Sequence, residues 1–177
     1  PICAGKIKFL KNQEIHQDPP NQYAISKYTQ ELIALKIGRN YNIPSVAMRY
    51  SIVHGPRQSL KNAYSGALRI FTLKMLNNQK PPIFEDGLSI RDYVSVYDVA
   101  RANALVLEDE KANFENFNVG GGKAYSVSEL ALIIQKILKT KMNLEPSEEF
   151  RVGDIRHSVS DISKLKESRV NVVKAIS

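Results

Sequence analysis

Between Asn21 and Arg57 the chain reads NQYAISKYTQELIALKIGRNYNIPSVAMRYSIVHGPR, and inside this stretch the apolar period changes. Ile25, Tyr28, Leu32 and Leu35 recur at spacings of three and four, the pattern of one side of a helix. The spacing predicts a helix from about Asn21, after Pro19-Pro20, fading between Gly38 and Asn42 ahead of Pro44. From Ser45 to Val53 the residues alternate instead, with Val46, Met48, Tyr50 and Ile52 on one side. That is strand spacing with β-branched and aromatic content. Gly55-Pro56 stops it. A helix feeding a short connection and then a buried strand is the repeating step of an α/β fold.

The rest of the chain continues the alternation. A second helix is expected over Tyr64 to Leu76, with Leu68, Phe71 and Met75 on one face. A short strand at Ile83-Phe84, a turn at Asp86-Gly87 and a strand near Tyr93 to Val96 should follow. Tyr97 to Glu108 reads as a helix with Asp98 in its first turn, where a carboxylate suits the helix dipole. Phe117 to Val119 reads as a further buried strand ending at Gly120-Gly121-Gly122. Ser126 and Glu129 form a capping box that opens a helix along Leu130, Ile133, Ile134, Ile137 and Leu138. Val152 to Leu165 should hold a short strand and a short helix. The sheet is expected to be largely parallel.

Composition limits the possibilities. Of 177 residues 43% are hydrophobic and 24% charged, a globular balance. The longest uninterrupted apolar run, Leu130 to Ile134, falls far short of the ~20 residues a spanning helix needs. The single Cys3 excludes an internal disulfide and fits a reducing cytoplasm. Against 18 acidic residues stand 25 lysines and arginines, giving a net charge of +7. The basic residues are spread along the chain rather than gathered in a block, which speaks against nucleic acid and for phosphate-bearing small molecules or a solvated surface. His16, His54 and His157 lie far apart and offer no metal-ligand spacing with the cysteine.

Tyr23 and Lys27 sit at positions i and i+4, one helical turn apart on one face. An ammonium beside a phenol favours its phenolate form, and the pair can then take a proton from a sugar hydroxyl. Taken alone, the same spacing also describes a packed tyrosine and a solvated lysine. The order of motifs around it decides. Tyr23-Ala-Ile-Ser-Lys27 follows a proline-containing loop, and Met48-Arg-Tyr-Ser-Ile-Val-His-Gly-Pro-Arg57 comes about twenty residues later. Then follow Arg91-Asp-Tyr-Val-Ser-Val-Tyr-Asp98, Phe117-Asn-Val-Gly-Gly, Ser126-Val-Ser-Glu-Leu, Arg151-Val-Gly-Asp154 and Ser160-Asp161-Ile-Ser-Lys.

From about Pro19 to Lys166 this series resembles the extended branch of the short-chain dehydrogenases/reductases, specifically the NAD-dependent epimerase/dehydratase family acting on nucleotide sugars. The resemblance implies the C-terminal part of a doubly wound, Rossmann-like parallel sheet interleaved with a smaller substrate-binding lobe over residues 21–166. Residues 1–20 would be an irregular lead-in and 167–177 an atypical tail. It implies Tyr23 as acid/base and Lys27 as the residue that binds the nicotinamide ribose and tunes Tyr23. Tyr50, Ser51 and Val53 would line the nicotinamide of NAD, with NADP still open. Arg91, Arg151 and Asp154 would hold the nucleotide diphosphate of the sugar substrate, with Phe84 against the base and Arg57 and Asn62 as further contacts. For Arg91 a fold-stabilising ion pair is the alternative. A homodimer is implied through the tyrosine-bearing helix, and no membrane partner is.

The implied reaction is epimerisation through transient oxidation of a sugar hydroxyl. A 4,6-dehydratase, which begins identically, and a non-catalytic dinucleotide- or nucleic-acid-binding relative are the alternatives. No glycine-rich G-x-x-G-x-x-G turn follows a strand, and no Ser or Thr precedes Tyr23. The opening on Pro1 fits a piece of a longer protein, expected to be inactive by itself.

Overall fold

The computed structural model describes residues 11–14, 18–61, 66–147, 149 and 155–167. Helix α1 spans Gln22–Asn40, and its first orphan amide is met by the Asn21 side chain, which accepts from the Ala24 N–H at 2.9 Å. Past its end the chain folds back at once, the Ile43 N–H bonding the Gly38 carbonyl at 2.8 Å. A Cβ at Gly38 would lie 2.4 Å from Ser45 Oγ and 2.8 Å from the Ile43 carbonyl oxygen. Only glycine permits so close a return.

The strand expected over Ser45 to Val53 is broken in two at Ser51. β1 (Ala47–Tyr50) pairs in parallel with β4 (Asn116–Val119), Met48 lying opposite Phe117. β2 (Ile52–His54) pairs in parallel with β3 (Ile90–Ser95), Val53 lying opposite Val94. Strand β3 also pairs antiparallel with β5 (Ala124–Ser126) and parallel with β6 (His157–Ser158). The sheets therefore comprise β1-β4 and, around β3, the strands β2, β5 and β6. The antiparallel β5 was not anticipated.

Between β2 and β3 lies α2 (Ala67–Leu76), whose Phe71 and Met75 are buried as expected. α3 (Val96–Glu108) starts directly from β3, with Ser95 accepting from the Tyr97 N–H. α4 (Val127–Leu138) opens on the capping box: Glu129 N–H donates to Ser126 Oγ at 3.1 Å and Ser126 N–H to Glu129 Oε2 at 2.7 Å. α5 (Ser163–Glu167) closes the described chain.

Ile83-Phe84 forms no strand. Ile83 O accepts from the Ser147 N–H and Oγ, and the N–H of the next residue but one, Glu85, donates to Glu149 O. Pro81, Pro82 and Pro146 beside them have no N–H with which to extend a ladder. Gly120 and Gly121 are packed tightly against β3. A Cβ on Gly121 would sit 1.9 Å from the Tyr93 carbonyl oxygen, and Gly121 N–H instead donates to Asp92 at 2.8 Å.

Two apolar clusters hold the elements together. One gathers Val94, Val106, Phe117, Val119 and Leu165, with Met48 and Val53 against it. The other gathers Phe71, Met75, Ile83, Tyr93, Tyr125 and Leu130, with Ile52 against it. Each fully buried large side chain contributes about 1.5–3 kcal/mol. The α/β class read from the sequence stands.

Candidate active site

Helix α1 carries Tyr23 and Lys27 near its N-terminus, and the structure brings the two together facing outward. The Tyr23 side chain is 72% exposed. The Lys27 ammonium lies 5.7 Å from its ring centroid, inside cation–π range, and 3.4 Å from Gln30 Oε1. The row Tyr23, Lys27, Glu31, Leu35, one residue per turn, runs from solvent into the core. Glu31 is half-buried and Leu35 buried. The apolar residues Ile25, Leu32, Ile33 and Ile37 stay exposed.

What fixes this helix on the sheet is largely polar. Arg49, on β1, forks onto Glu31: Nε donates to Oε2 at 2.7 Å and Nη2 to Oε1 at 2.6 Å. The pair is shielded, with side chains 20% and 10% exposed. Asn116 on β4 adds its amide to Glu31 Oε1 at 3.0 Å, and Arg49 Nη1 reaches the Glu14 carbonyl at 3.2 Å. Burial alone pushes the Glu31 carboxyl up. The hydrogen bonds from Arg49 and Asn116, with the charges of Arg49 and Lys164, outweigh it and hold the group below its ordinary value.

The strand residues divide by environment. Tyr50 is 45% exposed, and its hydroxyl donates to Asn103 Oδ1 on α3 at 2.9 Å. Ser51 turns into a buried network, donating to Asp92 Oδ2 at 2.9 Å and lying 2.7 Å from Ser160 Oγ. Asp92 also receives the Gly121 and Ser160 N–H groups, yet burial pushes its carboxyl above the usual value. Val53 packs against the first apolar cluster.

Among the substrate-side candidates, Arg91 lies on β3, which pairs there with β5 and β6. Arg91 lies opposite Tyr125 of β5 and Ser158 of β6, and its Nη1 donates to the Ile90 and Arg156 carbonyls at 3.0 and 3.1 Å. Phe84 precedes a turn closed by the Gly87 N–H on the Phe84 carbonyl. Arg156 brackets that turn, bonding Glu85 and, at 2.5 Å, Asp86. Arg57 is exposed, with φ at +69° in the turn after β2. Asn62, Arg151 and Asp154 lie outside the described residues. The sequence reading missed Glu31, Arg49, Asp92 and Arg156. Glu31 carries a usable signal, since it continues the i, i+4 row begun by Tyr23 and Lys27.

An apolar cavity of about 260 Å³ lies between α2 and α4, lined by Leu68, Thr72, Tyr125, Leu130 and Ile134, with His54 and Tyr93 beside it. Among the described residues, His54 Nε2 and Tyr93 Oη are buried without a hydrogen-bond partner. Burial holds the His54 imidazole below its ordinary pKa. Among the described residues no three His, Cys, Asp or Glu side chains gather as a metal site, and no helix is long and apolar enough to cross a membrane.

A Rossmann-like α/β chain that presents an outward tyrosine–lysine pair on the helix before a parallel strand defines a recognisable class. The chain belongs to the NAD dependent epimerase/dehydratase family, whose signature matches residues 5–120. NAD is the cofactor of that family. It is 42% identical over 134 residues to a putative UDP-glucose 4-epimerase of Methanocaldococcus jannaschii, covering 74% of this chain and 42% of that protein. The crystal structure of UDP-glucose 4-epimerase with UDP-glucose from Thermotoga maritima matches with a TM-score of 0.82 and 34% identity. That match covers 92% of this chain and 52% of the other. The Thermus thermophilus UDP-glucose 4-epimerase complex with NAD gives a TM-score of 0.82 at 27% identity, covering 94% and 54%. The chain thus spans about half the length of the relatives it matches.

Proposed function

We propose that the chain is the part of a nucleotide-sugar epimerase that supplies its proton-transfer pair, with Tyr23 as acid/base and Lys27 as its partner. The observation that carries this reading is the exposed Tyr23 phenol with the Lys27 ammonium 5.7 Å from its ring. It gains weight from the kinship with UDP-glucose 4-epimerases.

The residues present fit NAD. A phenol and an ammonium, side by side and open to solvent, can both bond ribose hydroxyls. When bound, the nicotinamide supplies a reversible hydride acceptor. Tyr23 takes the proton from the sugar hydroxyl and later returns it, while Lys27 holds the ribose. The nicotinamide would lie beside Tyr50, at the end of β1, and the Ser51–Val53 stretch that follows it. Arg91 and Phe84, with Arg57, Asn62, Arg151 and Asp154, would hold the nucleotide diphosphate through charge-assisted bonds and base contact.

In the enzyme of full length, Tyr23→Phe is expected to cut turnover of UDP-glucose by about 10²–10⁴-fold while leaving NAD affinity within a few-fold. Near-normal turnover in that variant removes Tyr23 from the reaction. A 4-keto-6-deoxy product in place of the epimer assigns the dehydratase branch instead.

A further inference from the structure

We infer that Glu31 and Arg49 are positioning residues for the Tyr23–Lys27 pair, a clamp that sets the rotation and seat of α1 on the sheet. The inference rests on the functional reading just given and extends it to residues that touch no substrate.

Among the described residues, few other contacts hold the N-terminal end of α1. The fully buried residues of α1 are Leu35 and Gly38, both in its C-terminal half. That half is also pinned by Arg39, whose Nη2 donates to the Phe114 carbonyl at 2.7 Å. Toward the N-terminus Tyr23 and Lys27 are exposed, and so are the apolar residues Ile25, Leu32 and Ile33. Between the anchored half and the exposed pair stands Glu31, one turn beyond Lys27 on the same row. Its carboxylate is held by two bonds from Arg49 on β1 and one from Asn116 on β4.

A forked guanidinium–carboxylate contact fixes orientation as well as distance, because both parallel bonds must form in one plane. A helix held by such a fork cannot roll about its axis without breaking it. Roll is the motion that would swing Tyr23 and Lys27, two turns and one turn away, out of register with the strand below. Lateral slack of about 1 Å at a reacting group costs on the order of 10²-fold in rate. The pair is shielded from water, so substituting one partner leaves the other buried and unpaired.

The test uses the enzyme of full length with NAD and UDP-glucose, on Glu31→Gln, Arg49→Lys and the exchange Glu31→Arg/Arg49→Glu, with Tyr23→Phe as the reference. Arg49→Lys keeps the charge and loses the fork, and so serves if Glu31→Gln does not fold. The expected result is a kcat lowered by about 10²-fold in Glu31→Gln and about 10-fold in Arg49→Lys. KM for UDP-glucose should stay within about two-fold, because the groups assigned to the sugar nucleotide lie on other elements. The exchange should recover at least part of the lost kcat. Amide hydrogen exchange gives a readout independent of turnover: protection over residues 22–31 should fall while that over 127–138 is kept.

Normal kcat and undiminished protection of α1 in both single variants, with Tyr23→Phe inactive, would overturn the clamp and leave the proposed function standing. An active Tyr23→Phe would overturn the function, and the exchange measurement would then decide the clamp by itself. Equal loss of protection in α1 and α4 marks general destabilisation and also sinks the inference.

Discussion

Tyr93 is the largest fully buried side chain of the described structure, 1% exposed, and its hydroxyl has no hydrogen-bond partner among the described residues. Burial pushes its ionisation up to about 12. A buried polar group left unpaired costs about 1–3 kcal/mol, so Tyr93→Phe, which keeps the ring, is expected to raise stability by about 1 kcal/mol in urea unfolding. Linkage gives the sign of a second effect. A folded-state pKa raised above the unfolded value of about 10 contributes stability that is complete below pH 10 and is lost as pH rises toward 12. Relative to the Phe variant, the parent protein should therefore weaken across that window. A parent that holds level with the variant from pH 10 to 12 would show that the hydroxyl finds a partner after all. Such orphan groups are invisible in a sequence, because Arg91-Asp-Tyr-Val says that Tyr93 is on a strand and not which atoms surround it. The Tyr23–Lys27 pair was legible for the opposite reason: both residues belong to one helix, whose geometry follows from spacing alone.

At the scale of elements, local signals were read correctly and long-range ones were not. The Ser126/Glu129 capping box is contained in four residues, and both of its reciprocal bonds form. Ser126→Ala removes the side-chain acceptor for the Glu129 N–H and is expected to cost about 1 kcal/mol, visible as a lowered Tm. No change in Tm would mean that the start of α4 is held by β5 and not by its cap. The break at Ser51 could not be read. Alternation from Val46 to Ile52 is unbroken in the sequence, and the strand divides because two different partners, β4 and β3, claim its two ends. Both partners lie dozens of residues downstream. Ile83-Phe84 failed as a strand for a reason that was on view: two prolines precede it and deprive the ladder of donors. Glu31 and Arg49 belong with the unread features, since their meeting requires knowing that α1 crosses β1.

For the molecule as a whole, the exposed residues Ile25, Leu32, Ile33 and Ile37 form an apolar outer face on α1, and Leu107, Leu132 and Ile137 add to the exposed apolar surface elsewhere. Glycine-rich turns that cradle a dinucleotide pyrophosphate place backbone amides at a helix N-terminus, and no such motif occurs in these 177 residues. The chain made by itself is therefore expected to show no NAD binding at micromolar concentration in titration calorimetry. Micromolar affinity would reveal a cofactor site that the glycine pattern does not announce.

The divided strand has a mechanical consequence. Met48 before the break and Val53 after it pack on one apolar cluster, while Ile52, between them, reaches the other, so this short stretch of chain touches both. Loosening one cluster therefore removes support from the other through residues 48–53, and Ser51, bonded to Asp92 and facing Ser160, holds that stretch in place. Heat should therefore melt both clusters in one calorimetric step, with van't Hoff and calorimetric enthalpies equal. Ser51→Gly, which cuts that stretch loose without lengthening the chain, should split that step in two.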